Sequence, residues 1–291
     1  MNIPSPWVRE HRRTLSWSTA VVAMLALTWM LEQHGGWVSL FDASVDQPWM
    51  LAIAVALLPV NLGFEAWKWR HLSSSAVVYD ETDWAQRPWS EVWPEVLGGQ
   101  TWALLGPFRL ADGIGRLALC RNPKLRGKLG AGAFARGAAA QGWATWAWMA
   151  PAMFIWQWHV MGMGLLVFVG ITGFAFLRHT SLTTMALSAA RYVVFAVQYL
   201  LCLSSFGAII WQDWWTEGYP RIAAIWCAVG TLPWPAELGL REAAATWAFD
   251  DNIPAVVAAT FMLWLLNRCI PAFLGLAFVG DMWRSKGSDR K

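Results

Sequence analysis

Apolar residues in this chain come in long unbroken runs rather than in the alternation expected of half-buried strands. A helix crossing roughly 30 Å of hydrocarbon needs about 20 mostly apolar residues. Six stretches have that length: 15–33, 48–69, 131–156, 160–178, 187–211 and 255–279. Two more are apolar but interrupted, 90–119 by Gly98, Gly99, Gly106 and Pro107, and 221–249 by Gly230, Pro233 and Pro235. Each of these reads as a broken spanning helix or as a re-entrant hairpin of two half-helices meeting at mid-bilayer. The expected fold class is therefore an all-α polytopic membrane protein forming a single membrane domain over 1–291.

Basic residues choose between the layouts, because cytoplasmic loops are enriched in Lys and Arg. The N-terminus (Arg9, Arg12, Arg13), the 109–128 region (Arg121, Lys124, Arg126, Lys128) and the tail 284–291 (Arg284, Lys286, Arg290, Lys291) are basic. The loops at 34–47 and 250–254 carry acids and no Lys or Arg, and 212–220 carries acids with only Arg221 beside it. Six crossings plus two re-entrant hairpins place every basic segment and both termini in the cytoplasm. Two full crossings at the interrupted stretches would keep the termini inside but invert the middle loops. In the first layout, 1–156 and 160–279 repeat one pattern of helix, helix, hairpin, helix. Three crossings per half make the repeats inverted, with oppositely oriented hairpins. Inverted repeats with discontinuous helices are a transporter architecture, and the breaks point to the substrate site.

Composition agrees with membrane insertion. Hydrophobic residues are 57% of the chain and charged residues 14%, against about 25% charged in soluble domains. Indole favours the membrane–water interface, and of the 24 tryptophans, Trp37, Trp156, Trp158, Trp211, Trp214, Trp215 and Trp283 fall near expected helix ends. Trp146 and Trp148 lie inside apolar stretches, where packing is the simpler role. The net charge of +3 gives no reason to expect nucleic acid. Cys120, Cys202, Cys227 and Cys269 are widely spaced and read as small buried hydrophobes. Arg9, Arg12 and Arg13 precede an apolar run with no A-x-A cleavage site, which reads as an uncleaved first helix.

The ionisable residues inside these stretches carry the functional signal. Pro107 suits the first position of a returning half-helix, followed by Arg109, Asp112 and Arg116; Asp112 and Arg116 are an i,i+4 pair on one face. Pro235 opens the second half-helix, with Gly239, the i,i+4 pair Glu237 and Arg241, and Glu242 beside it. Elsewhere Asn61 and Glu65, Arg136 and Arg268 interrupt apolar sequence. A charge at the bilayer centre costs about 2.5–3.5 kcal/mol on insertion scales, so such groups must face one another or a wet cavity. Arg136 and Glu65 lie near helix ends, where snorkelling is the competing reading, and the Glu237–Arg241 pair reads equally as a structural clasp. Arg268 is too far from either end to snorkel easily. Arginine grips phosphate bidentately and stays charged when buried, and a helix N-terminus adds free N–H groups and partial positive charge. Together these describe an anion site at mid-membrane, where a lipid headgroup phosphate is the natural occupant. Pro271, just after Arg268, is expected to kink the last helix. The Gly/Ala run 130–142 allows close helix approach.

No P-loop, G-x-S-x-G or H-E-x-x-H motif occurs, and His11, His34, His71, His159 and His179 do not cluster with cysteine or carboxylate at ligand spacing. No catalytic residue, cofactor or metal ion is expected. The acidic 79–95 segment (Asp80, Glu81, Asp83, Glu91, Glu95) keeps a transferase acting on a lipid-linked substrate as the main alternative, although a solvated loop is the plainer reading. A non-lipid anion carrier is the second alternative.

The stretches NLGFEAWKWRHL, GPFRLADGIGRLAL followed by FARGAAAQ, LPWPAELGLREA and LNRCIPAFLG resemble the lysylphosphatidylglycerol synthase transmembrane (flippase-like) family. The resemblance spans nearly the whole chain, and its most specific element is Pro235, Gly239, Arg241 and Glu242. Where that family tends to show Gly-Glu, this chain has Ala111-Asp112. The resemblance implies an inverted-repeat lipid translocase of the bacterial inner membrane. It also implies functional roles for Arg109, Arg116, Arg136, Arg241, Glu242 and Arg268. The chain ends shortly after the last helix, without the soluble aminoacyl-transferase domain of full synthases, so lysyl transfer is not expected of it. The expected partner is a membrane phospholipid or polyprenyl-phosphate-linked lipid as substrate; a homodimer and a lipid-biosynthetic enzyme are further partners consistent with this reading.

Overall fold

The computed structural model describes residues 28, 32, 43–75, 87–105, 110–120, 123–178, 180–231, 240–249 and 252–288. The expected first helix at 15–33 lies outside them but for Thr28 and Glu32. So do Gly106, Pro107 and Arg109, and Pro233, Pro235, Glu237 and Gly239. All regular structure among the described residues is helical. The helices are α1 (Pro48–Ala56), α2 (Leu58–Ser75), α3 (Trp89–Leu105), α4 (Leu110–Leu119), α5 (Pro123–Ile155), α6 (His159–Leu177), α7 (Leu182–Ser205), α8 (Tyr219–Thr231), α9 (Leu240–Ala248), α10 (Ile253–Trp264) and α11 (Ile270–Ser288).

Among the described residues, four stretches are long and apolar enough to cross a membrane: Pro48–Ser74, His159–Leu177, Leu182–Ser205 and Ile253–Val279. The first joins α1 and α2 through Leu57, where Pro59 can offer no N–H to the turn before it. The fourth joins α10 and α11 through a π turn at Leu265–Cys269. Pro271 removes the donor for the carbonyl four residues back, and the wider turn meets the expected break in that helix. α5 runs 33 residues, starting eight residues before the expected 131. It is long enough to cross, but its alanine- and tryptophan-rich sequence is less apolar than the other four.

Two boundaries differ from expectation for local reasons. α7 begins at Leu182 rather than 187, because the Ser181 hydroxyl caps it by accepting from the Thr184 N–H at 3.2 Å. It ends at Ser205 rather than 211, where Gly207 takes φ +70°, a conformation that suits glycine. Gly98, Gly99 and Gly230 do not break helices as expected. They sit inside α3 and α8, and a Cβ at Gly98 or Gly99 would run into Leu119 or into Asp112 and Arg116. Gly98 and Gly99 let α3 and α4 approach closely, and Gly230 packs on Thr145 of α5.

α2 and α7 lie antiparallel at the centre. Asp46 N–H donates to the Ser205 carbonyl at 2.8 Å at one end, and His71 meets Ser181 at 2.6 Å at the other. α3 and α4 form an antiparallel hairpin, with Gly99 against Asp112 and Arg116, and Gly115 against Trp102. Its open end lies at the Ser181 end of α7, where Arg87 donates to Ser73 at 2.7 Å. α8 and α9 form a second hairpin, with Arg221 over Phe249 at 5.2 Å and Arg241 over Trp226 at 5.1 Å. It opens at the opposite end, where Gly218 packs on Leu200 and Ile209. Each hairpin packs against the long helix that closes the other half, α3 on α11 and α8 on α5. One apolar core gathers Ala66, Trp69, Val92, Val96, Cys120 and Ala133 around α2. The other gathers Tyr199, Leu203, Ile225, Phe249 and Leu263 around α7.

Of the tryptophans expected near helix ends, Trp158, Trp211 and Trp215 are exposed and Trp156 and Trp214 half-buried, while Trp37 and the Trp283 side chain lie outside what is described. Trp49, Trp158, Trp211 and Trp215 are exposed at the Ser205 end, as an interfacial belt requires. Trp148 stacks on Tyr192 at 5.7 Å and Trp146 meets Phe168 edge-on at 6.5 Å. Both are packing residues.

Candidate functional site

Charge converges where α2, the first hairpin and α7 meet. Asn61, Glu65 and Lys68 share one face of α2 by their i,i+4 and i,i+3 spacing. The Arg116 guanidinium of α4 grips Asp112 with two bonds, Nε to Oδ1 and Nη2 to Oδ2, each 2.7 Å. Its Nη2 also lies 2.8 Å from Glu65 Oε1. The other Glu65 oxygen receives Lys68 Nζ at 2.8 Å and Arg191 Nη1 at 2.5 Å. Glu65 is thus the hub of three cations.

Amide side chains continue the network. Arg191 Nε donates to Asn61 Oδ1 at 3.0 Å, and Asn61 Nδ2 donates to Asn267 Oδ1 at 2.5 Å and to Gln198 Oε1 at 3.3 Å. Gln198 donates in turn to the Ala54 carbonyl at 2.9 Å. Next to Asn267, Arg268 Nη1 donates to Gln100 Oε1 at 3.1 Å. Gln100 adjoins Gly99, which faces Asp112 and Arg116. The π turn therefore sends one residue to α2 and the next to α3. π turns recur at functional sites for this kind of local re-aiming.

Burial decides between snorkelling and a shared site for Glu65. Glu65 is 5%, Lys68 4% and Arg116 2% exposed, so all three are enclosed by protein. Arg191 and Asp112 keep 21% and 16% of their side chains exposed, and are the partly accessible members of the cluster. Its five charged members are Glu65, Asp112, Lys68, Arg116 and Arg191, three cations against two carboxylates. Buried charges need partners within the protein, and an excess of one cation suits an added anion.

A chain of contacts runs from this cluster to the Ser181 end. Arg116 lies over the Trp69 ring at 5.1 Å, and Trp69 Nε1 donates to Glu95 at 2.7 Å. Glu95 pairs with Arg87, and Arg70 donates to the Arg87 carbonyl at 2.8 Å while covering Trp89 at 4.7 Å. Glu95 is 1% exposed. The expectation of a solvated loop at 79–95 is therefore corrected for Glu91 and Glu95: both belong to the first turns of α3, and Glu95 is buried by its two partners. The remainder of that segment, 79–86, lies outside the described residues.

In the second half, Arg241 and Glu242 are 1% and 2% exposed, with Arg241 over Trp226. Nearby, Tyr199 meets Thr260 at 2.7 Å. The expected partner Glu237 lies outside the described residues. Arg136 is half-buried on α5, and among the described residues it makes none of the cluster's ion pairs. Between α5, α7 and α8, four polar atoms are buried with no hydrogen-bond partner among the described residues: Gln141 Oε1, Ser188 Oγ, Tyr192 Oη and Trp226 Nε1. Each such group costs on the order of 1–3 kcal/mol.

The structure thus gathers Asn61, Glu65, Asp112 and Arg116 in one cluster, with Arg268 at its rim. It adds Lys68, Arg191, Gln198 and Asn267, which sequence reasoning did not nominate. Arg191 carried a readable signal as the one charged residue of Leu182–Ser205. No group of three or more His, Cys, Asp or Glu at metal-binding geometry occurs among the described residues. No protein family, curated protein or solved structure matches the chain.

Proposed function

We propose that this chain is a lipid translocase of the bacterial inner membrane. It takes an anionic headgroup phosphate into the cluster of Arg116, Arg191 and Lys68 while the acyl or prenyl chains stay in the bilayer. The observation that carries this reading is the buried surplus of one cation, partly exposed at Arg191, in a chain with four apolar spans among its described residues. In the resting arrangement Glu65 and Asp112 hold the guanidinium groups. An arriving phosphate replaces those carboxylates with an anion of matching bidentate geometry, which provides the differential affinity that a conformational change requires.

The full layout belongs to the same proposal: six crossings, two hairpins entering from opposite faces, inverted halves and both termini in the cytoplasm. The antiparallel hairpins with open ends at opposite ends of the bundle support it. So does their exchange, α3 against α11 and α8 against α5, as a two-fold relation would produce. The resemblance noted above gives the proposal the same direction.

The test is translocation of acyl-labelled fluorescent phosphatidylglycerol in proteoliposomes, followed by quenching from outside. Wild type should expose the inner-leaflet probe, whereas Arg116→Gln and Arg191→Gln should reduce the rate to that of empty liposomes. Unchanged rates in both variants would contradict the proposal. Uptake of inorganic phosphate without lipid movement would favour an anion carrier instead.

A further inference from the structure

Of the polar atoms buried without a hydrogen-bond partner among the described residues, four lie on α5, α7 and α8, two of them on α7 next to Arg191. Ser188 and Tyr192 are one turn apart on the same face of α7, and Arg191 lies between them in sequence. The Ser188 side chain is three residues from Arg191, within neighbouring distance on a helix surface. Ser188 is fully buried and Tyr192 is 5% exposed. Opposite them, Trp226 of α8 meets the Tyr192 ring edge-on at 6.4 Å, and Trp148 of α5 stacks on it at 5.7 Å. Gln141 is two turns below Trp148 on α5, and its carbonyl accepts from Thr145, against which Gly230 near the end of α8 packs.

Chemically, the strip offers a hydroxyl, a phenol, an indole N–H and an amide oxygen. All are neutral, and all are buried without a partner among the described residues. Indole and phenol faces stand next to them. Neutral donors and acceptors interleaved with aromatic faces match a headgroup bearing hydroxyl groups on a carbon skeleton. None of the four is itself a carboxylate that could hold an ammonium group, and the cations shown beside them are Arg191, next to Tyr192 in sequence, and Arg241, over the Trp226 ring at 5.1 Å.

We infer that Gln141, Ser188, Tyr192 and Trp226 form a hydroxyl-reading subsite adjoining Arg191, so that the translocated lipid carries an uncharged polyol or sugar beyond its phosphate. This rests on the lipid-phosphate reading above and narrows it to one substrate class. Phosphate fixes the headgroup at Arg116 and Arg191; the hydroxyls then satisfy the orphaned groups of α5, α7 and α8. A site built to hydrogen-bond a hydroxyl discriminates strongly against an analogue without it, because its own groups are then left unpaired.

The experiment compares acyl-labelled probes in proteoliposomes of the full chain: phosphatidylglycerol, phosphatidic acid and phosphatidylcholine. A polyprenyl phosphohexose and the matching bare polyprenyl phosphate form a second arm. The hydroxylated member of a pair should move about tenfold faster than its bare-phosphate counterpart, as two additional hydrogen bonds imply; the pair that shows this identifies a glycerol or a sugar headgroup. Phosphatidylcholine should be slowest. Ser188→Ala and Tyr192→Phe each remove one oxygen without cutting a contact seen in the structure, and together should bring the ratio close to one. If phosphate-bearing lipids move equally and both variants leave the ratio unaltered, the subsite is overturned while the phosphate site stands. If no probe moves, or movement ignores Arg191→Gln, both fall together.

Discussion

The two hairpins share a backbone plan but differ in how they hold charge. In the first, Arg116 is fixed by Asp112 on its own helix and by Glu65 on α2, which in turn gathers Lys68 and Arg191. In the second, Arg241 lies over an indole, and the described contact between α7 and α10 is a neutral Tyr199–Thr260 hydrogen bond. Five charged side chains meet around the first hairpin, three cations against two carboxylates. Around the second hairpin an indole and a neutral hydrogen bond stand near Arg241, with the carboxylate of Glu242 buried next to it in sequence.

That contrast breaks first at Glu65. Replacing it with Gln leaves Lys68, Arg116 and Arg191 without their shared carboxylate, and removing one partner of a buried ion pair costs about 3–5 kcal/mol. Thermal unfolding in detergent should show Glu65→Gln as the most destabilised of these variants. Adding Lys68→Met should recover part of the loss, because one uncompensated buried cation is then gone. If the double variant melts below the single one, Lys68 is not part of the network described.

A smaller effect is expected at the seam between the first hairpin and α11. A Cβ at Gly275 would overlap the Leu97 carbonyl and the Thr101 hydroxyl, and overpacking of this kind costs about 1–3 kcal/mol. Gly275→Val should lower the melting temperature and weaken the Thr101–Ala272 hydrogen bond, 2.7 Å in the structure. An unaltered melting curve would show that α3 and α11 do not pack as described.

In the second half, Tyr199→Phe removes only the bond to Thr260 and should cost about 1 kcal/mol. A loss as large as that of Glu65→Gln would erase the contrast between the halves. Smallest of all, Trp215→Ala at the exposed Ser205 end should alter stability in detergent by less than about 0.5 kcal/mol.

Much of this was readable in sequence because charge in an apolar run has few places to go. Asn61, Glu65, Asp112 and Arg116 announced themselves by that rule and by helical spacing. Arg191 obeys the same rule, but a helix begun at 187 leaves it in the first turn. The Ser181 cap moves the start to 182 and places it three turns inside. Lys68 and Asn267 were hidden by position: one near a helix end, the other beside a more conspicuous arginine and inside a π turn that periodicity does not reveal. Gly98, Gly99 and Gly230 show the converse. Glycine punctuates a chain or admits a neighbour, and only the approach of α4 or α5 tells which.

The central proposal is that Lys68, Arg116 and Arg191, one cation in excess of Glu65 and Asp112, hold a lipid phosphate. Native mass spectrometry of the protein released from membranes of equal phosphatidylglycerol and phosphatidylcholine tests it most directly. The account predicts retained phosphatidylglycerol on wild type and its loss from Arg191→Gln. Equal retention of the two lipids, or phosphatidylglycerol held as well by Arg191→Gln as by wild type, would contradict it.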